Sequence, residues 1–131
     1  QKTAYEIRLS LVGSEMCIRD SPKAPLDSYK KIAMQLDNSI IDSVSIEDAH
    51  RYNDLTLLKD YKQTKIIFGL IKIASSKIET VEEIEVRIVE ALKNISKDQL
   101  IAAPDCGLGH LSRDLAIKKL KIMSQAVKKF N

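Results

Sequence analysis

Two stretches of the chain carry residue types capable of chemistry. In "LIAAPDCGLGHLSRD", residues 100–114, Cys106 stands between Asp105 and Gly107 just past a short apolar run, with His110 four residues on. A cysteine so placed is either a small buried hydrophobe, the usual fate of a free thiol, or a ligand of a metal whose other ligands lie elsewhere. In "VSIEDAHRYNDL", residues 44–55, Glu47 closes a second apolar run. That carboxylate can cap a following helix, pair with Arg51, or share a site with Cys106. His50, three residues on, could approach the same place, but reads more readily as a surface-loop histidine. Asp105 alternates away from Cys106 on an extended strand, which suits a supporting role better than ligation. His110 makes a C-x3-H pair with Cys106, a spacing that arises easily by chance. Cys17, Cys106, His50 and His110 together match the spacing of no compact zinc module.

The totals bound what such residues can belong to. At 131 residues and 44% hydrophobic composition, the chain has the size of one domain with a real core. A net charge of +3 with 30% charged residues lacks the concentrated basic stripe of a nucleic-acid binder. Its lysines fall mostly on helical stretches, as solvated faces do. Two cysteines build no disulfide framework, and no apolar run is long enough to span a bilayer. The expectation is a cytoplasmic protein without a nucleic-acid or membrane partner.

From Leu26 onward, strands and helices alternate. "LDSYKKIAMQLD" places Tyr29, Ile32, Ala33 and Leu36 at helical spacing. "IIDSVSIED" reads as a buried strand ending at Glu47, and "LTLLKDY" as a helix or helical turn. "KIIFGLIKI", residues 65–73, is a second strand rich in β-branched residues. "TVEEIEVRIVEALKNI" is the clearest helix: Thr80 and Glu83 form a capping box, and Ile84, Ile88, Leu92 and Ile95 form one apolar stripe. "QLIAAPD" is a third strand. The last helix starts after Ser112 and is expected to bury Leu120, Met123, Val127 and Phe130, with Lys118, Lys121 and Lys128 on other faces. Strands each followed by a helix mean parallel β/α units, and near-continuous apolar strands predict a sheet covered on both faces. The units are too few for a closed eight-stranded barrel, which typically takes about 250 residues. An open α/β sheet and part of a barrel both remain, and either puts its site at the C-terminal strand ends, where Glu47 and Cys106 lie.

Residues 1–21, "QKTAYEIRLSLVGSEMCIRDS", do not share this pattern. Their core, "VGSEMCIRDS", resembles a translated sequencing-library adapter. They are expected to be a non-native leader, with Cys17 carrying no functional weight and native sequence occupying 22–131. The alternative is a genuine amphipathic lead-in.

From about residue 26 to the end, three blocks in order resemble the C-terminal catalytic barrel of the cobalamin-independent methionine synthase family. They are "VSIED", "IIFGLIKIASSKIETVEEI" and "APDCGLG". The resemblance implies an α/β fold in which this chain is the C-terminal part of a (β/α)8 TIM barrel, about three β/α units plus a preceding helix. It implies zinc as cofactor, with Glu47 and Cys106 as two of its ligands and Asp105 and His50 as supporting neighbours. It implies a methyltransferase of methionine biosynthesis, moving a methyl group from a folate-type donor, methyltetrahydrofolate, to a thiol such as homocysteine. Zinc would hold the substrate sulfur as a thiolate through an open coordination position.

Two departures qualify the match. The family's remaining ligands come from a His-x-Cys motif roughly twenty residues before the glutamate. That position falls near residues 23–25, where no such motif exists. Ala74 and Lys72 stand where the family carries a proton-transferring histidine and an aspartate. A related thiol alkyltransferase with another donor or acceptor therefore fits as well. From other classes, a small non-catalytic α/β module and a metal-free barrel enzyme using Glu47 as general base are the rivals. The chain alone is expected to be inactive, and an incomplete barrel would expose two sheet edges.

Overall fold

The structure, a computed structural model, describes residues 26–130. Residues 1–21, expected to be a leader, and the position near 23–25 where the family's His-x-Cys motif would fall lie outside them. Helix α1 (Leu26–Asp37) leads to strand β1 (Ser43–Ile46), a 3-10 turn (Leu55–Asp60) and strand β2 (Lys65–Ile71). Helix α2 (Val81–Leu92), strand β3 (Leu100–Pro104) and helix α3 (Arg113–Val127) follow. The strands form one parallel sheet in the order β1-β2-β3, with Ile46 beside Phe68 and Gly69 beside Ala103. A register shift between Gly69 and Ile71 brings Ile71 opposite Pro104.

Central β2 holds the core, as its β-branched run requires. Ile66, Phe68 and Ile71 are fully buried, packed with Leu58 and Ile84. Phe68 and Leu70 share a groove with Ile88 and Leu92 of α2 and Val127 of α3, so these helices cover one sheet face. Helix α2 behaves as its sequence dictates. The Thr80 side chain accepts from the Glu83 amide at 3.1 Å, and Glu83 accepts from the Thr80 amide at 2.9 Å. Ile84, Ile88 and Ile95 are buried, and Leu92 is half-buried.

Four expectations need correction. β1 is not a long buried strand: it has four residues, and Ile40 and Ile41 before it are exposed. It is an edge strand in which Val44 and Ile46 pack inward while Ser43 and Ser45 face out. In α1, among residues 29–37, Ala33 and Asp37 are buried, whereas Tyr29 and Ile32 are exposed, because the helix packs chiefly on the 3-10 turn. The buried positions of α3 are Lys119 and Ala126. Leu120 is exposed, and Met123, Val127 and Phe130 are half-buried. The helix is rotated so that the Lys119 ammonium reaches the loop after β2, where it donates to both Glu79 carboxylate oxygens at 3.0 and 2.8 Å and to the Lys77 carbonyl. Finally, cover on both sheet faces is not what the described residues show: Ile101, facing away from α2 and α3, is 42% exposed.

Asp37, the last residue of α1, ties that helix to the start of β2. Its carboxylate accepts from the amides of Lys62, Gln63 and Thr64, each at 2.9 Å. Burial alone would raise this carboxyl, but the three amides outweigh burial and hold it at about 2. A carboxyl with a depressed folded-state pKa stabilises the fold above its unfolded value, near 4, and loses that contribution as pH falls toward 2. Asp37→Ala is expected to cost about 2 kcal/mol in chemical denaturation at pH 7. The difference from wild type should shrink steadily between about pH 4 and pH 2.

Candidate active site

The C-terminal ends of the three strands converge on one side chain. Asp105, the residue after β3, is 2% exposed, and its amide donates to the Ile71 carbonyl at 3.1 Å. Its Oδ1 accepts from the amides of Asp48 at 3.0 Å and Ala49 at 2.9 Å. Its Oδ2 accepts from the amide of His50 at 2.8 Å and from His50 Nδ1 at 2.6 Å. Four donors from the loop after β1 thus surround one carboxylate. The other ring nitrogen, His50 Nε2, accepts from the Ala74 amide at 3.1 Å, in the loop after β2. Because an amide can only donate, Nε2 is the unprotonated nitrogen and the ring proton sits on Nδ1, aimed at Asp105.

This arrangement needs Gly69. A Cβ built there would fall 2.9 Å from the Asp105 Cα and collide with its carboxylate. The obstacle is partly backbone, so no rotamer change relieves it.

The loop after β1 is gripped from its other side as well. Asp48 is fully buried, and Arg87 of α2 meets it with two donors, Nε to Oδ2 and Nη2 to Oδ1 at 2.8 Å. Arg87 Nη2 also donates to the Asn53 carbonyl at 2.9 Å, and Nη1 to Glu90 at 2.6 Å. The guanidinium stacks over the Tyr52 ring, 4.5 Å from its centroid. Burial pulls the Arg87 pKa down, but its hydrogen bonds to Asp48 and Glu90 more than offset this and raise it. A pocket lined by Ala49, Tyr52, Gly69, Lys72, Ser75 and Arg87 opens beside this cluster.

The residues singled out in the sequence are distributed as follows. Asp105 and His50 are in direct contact, and His50 is a bridge between strand ends rather than a surface-loop histidine. Glu47 and Cys106 adjoin this knot through the chain: Glu47 is exposed and precedes Asp48, and Cys106 is half-buried and follows Asp105. His110 is exposed in a short 3-10 turn, Leu108–His110, and Cys17 lies outside the described residues. Both oxygens of Asp105 and both nitrogens of His50 are engaged with protein donors and acceptors, so neither side chain is available as a metal ligand. Among the described residues, no three His, Cys, Asp or Glu side chains cluster closely enough to hold a metal ion. The donor set here is thus a thiol and a carboxylate, part of a centre at most.

Sequence reasoning missed Asp48, Gly69 and Arg87. Arg87 borders the apolar stripe of α2 and reads there as a solvated charge. The one available signal was the doubled acid of "IED", since two adjacent carboxylates at a strand end face opposite ways.

A parallel sheet with its polar residues gathered at the C-terminal strand ends is an α/β arrangement, and that end is where such folds place their sites. The sequence pattern described as "Cobalamin-independent synthase, Catalytic domain" matches residues 14–129, and the chain belongs to that family. Methionine synthase from Pyrococcus abyssi is 32% identical over 102 residues, covering 77% of this chain and 30% of that protein. The methionine synthase of Methanocaldococcus jannaschii is 34% identical over 103 residues, covering 72% and 33%. Among solved structures, a B12-independent methionine synthase from Shewanella sp. W3-18-1, in complex with selenomethionine, superposes with a TM-score of 0.73 at 29% identity. That match covers 78% of this chain and 30% of the other. The chain therefore spans about a third of the length of these relatives.

Two substitutions test the geometry of the knot. Gly69→Ala should cost about 2–3 kcal/mol in denaturant unfolding, because strand and carboxylate cannot both stay in place. Asp105→Asn should cost about 3 kcal/mol, since its amide nitrogen, itself a donor, would face a backbone N–H that one carboxylate oxygen now accepts. Unfolding midpoints within error of wild type for both would contradict the arrangement.

Proposed function

We propose that this chain is the C-terminal part of a (β/α)8 barrel, and that it contributes Glu47 and Cys106 to the zinc site of a cytoplasmic methyltransferase acting on a thiol. The observation that carries this reading is the Asp105 knot. The carboxylate of Asp105, the residue before Cys106, accepts from the amide of Asp48, the residue after Glu47, so two potential ligands from sequence-distant strand ends adjoin one hydrogen bond. The membership of the chain in the cobalamin-independent synthase family supports the same reading.

A thiolate and a carboxylate are ligands suited to zinc, and the other ligands of a catalytic site would come from outside residues 26–130. When bound, zinc holds a substrate sulfur as thiolate at neutral pH, the form that attacks a methyl carbon. The chain's own residues do the positioning. Asp105 orients the backbone that carries Cys106, and His50 holds the loops after β1 and β2 together, with its tautomer fixed at both nitrogens. The acceptor is a small thiol such as homocysteine, and the donor a methyltetrahydrofolate-type amine.

The donor is where a second reading arises. Ala74 offers only its backbone amide, which is committed to His50. A folate amine leaving group needs a proton, and Ala74 supplies none. This favours a related thiol alkyltransferase whose leaving group departs without protonation.

Cobalt(II) titration of the 131-residue chain, in a Cys17→Ser background, tests the ligand assignment. A weak site with thiolate-to-cobalt charge-transfer absorption is expected, and no methyl transfer by the chain alone. Cys106→Ala should abolish the band, and Glu47→Gln should weaken binding about tenfold or more, a loss of about 1.4 kcal/mol or more. A band that survives Cys106→Ala, or affinity indifferent to Glu47→Gln, would overturn the assignment.

A further inference from the structure

We propose that Arg87, acting through Asp48 and Asn53, is the positioning residue for Glu47, so that a side chain on the outer helix α2 sets where the carboxylate at the end of β1 stands. The inference rests on the reading of Glu47 as a ligand and extends it to residues with no part in binding. Glu47 is exposed and directly follows the last residue of β1, so the path of its backbone sets where its carboxylate can reach.

The connection is continuous. The Arg87 fork holds the Asp48 carboxylate at both oxygens, a geometry that a guanidinium makes and an ammonium does not. Asp48 Oδ1 also accepts from the Asn53 amide at 2.7 Å and from Asn53 Nδ2 at 2.9 Å. Asn53 Nδ2 in turn donates to the Glu47 carbonyl at 2.7 Å, while Arg87 Nη2 holds the Asn53 carbonyl. Glu47 is therefore tied through its own carbonyl to Asn53, and its neighbour Asp48 is tied through its side chain to Arg87 and through its amide to Asp105. The Asp48 carboxylate is wholly removed from water and the Arg87 side chain is 12% exposed, so the pair is built into the fold rather than resting on it. An isolated structural ion pair would need only Asp48. The further bonds to both ends of the 47–53 loop are what a loop-setting device requires.

The test uses the 131-residue chain in the Cys17→Ser background with two variants, Arg87→Lys and the milder Asn53→Ala. Asn53→Ala keeps the buried ion pair and so guards against simple misfolding. Amide hydrogen exchange reads the clamp without any metal. Both variants should raise exchange at residues 47–54 about tenfold or more and leave the amides of β2 unchanged. Unchanged exchange at 47–54, or a uniform rise across the sheet, overturns the clamp. Cobalt affinity then reads its purpose through a double-mutant cycle. Arg87→Lys should weaken binding about tenfold with Glu47 present and less than twofold in the Glu47→Gln background. Equal weakening in both backgrounds overturns the positioning role. Affinity indifferent to Glu47→Gln itself overturns the ligand reading instead, and reduces the clamp to a loop fastener.

Discussion

A carboxylate taken out of water must find donors for both of its oxygens, and at Asp105 that requirement shapes everything around it. Three consecutive amides of the loop after β1 and one imidazole nitrogen meet it, and no side chain fits beneath it, so the strand alongside carries glycine at position 69. Each bond to the charged group is worth more than a neutral one, and losing any would leave a buried amide unpaired. The carboxylate therefore dictates the path of the chain after two strands, and through His50 it reaches the third.

Polar groups fasten the rest of the domain at the same end of the sheet. The Arg87–Asp48 pair fixes the far side of the β1 loop, and Lys119–Glu79 fixes the loop after β2, where Glu79 also accepts from the Lys72 amide. Buried ion pairs add little net stability over well-packed apolar residues, but breaking one is costly, which suits loops that must keep one conformation. The apolar core around Phe68 supplies the platform; the charged contacts decide where the loops lie on it. That division of labour is expected of α/β folds, whose functional residues sit on loops held by a rigid scaffold.

Much of the scaffold was legible in the sequence because its signals are local. The β-branched run of β2, the capping box at Thr80 and Glu83, and the stripe from Ile84 to Ile95 each depend on neighbours a few residues away. The strand-end positions of Glu47 and Cys106 were legible for the same reason. The knot was not, because its partners lie 55 to 57 residues apart, and a buried charge is spelled with the same letter as a solvated one. Lys119 shows this most plainly: set in a lysine-rich helix, it is the one lysine among the described residues that is fully buried, while Leu120 beside it is exposed. The exposure of Leu120, Ile101 and Ile32 follows from what packs on the chain, which sequence periodicity does not record.

The most direct test of the central role of Asp105 is the nitrogen NMR spectrum of the His50 imidazole in the folded protein at neutral pH. A proton fixed on Nδ1, with Nε2 unprotonated and hydrogen-bonded to the Ala74 amide, is the predicted result. It should be lost in Asp105→Asn. A ring protonated on Nε2, or one averaging between the two tautomers as free histidine does, would contradict the account.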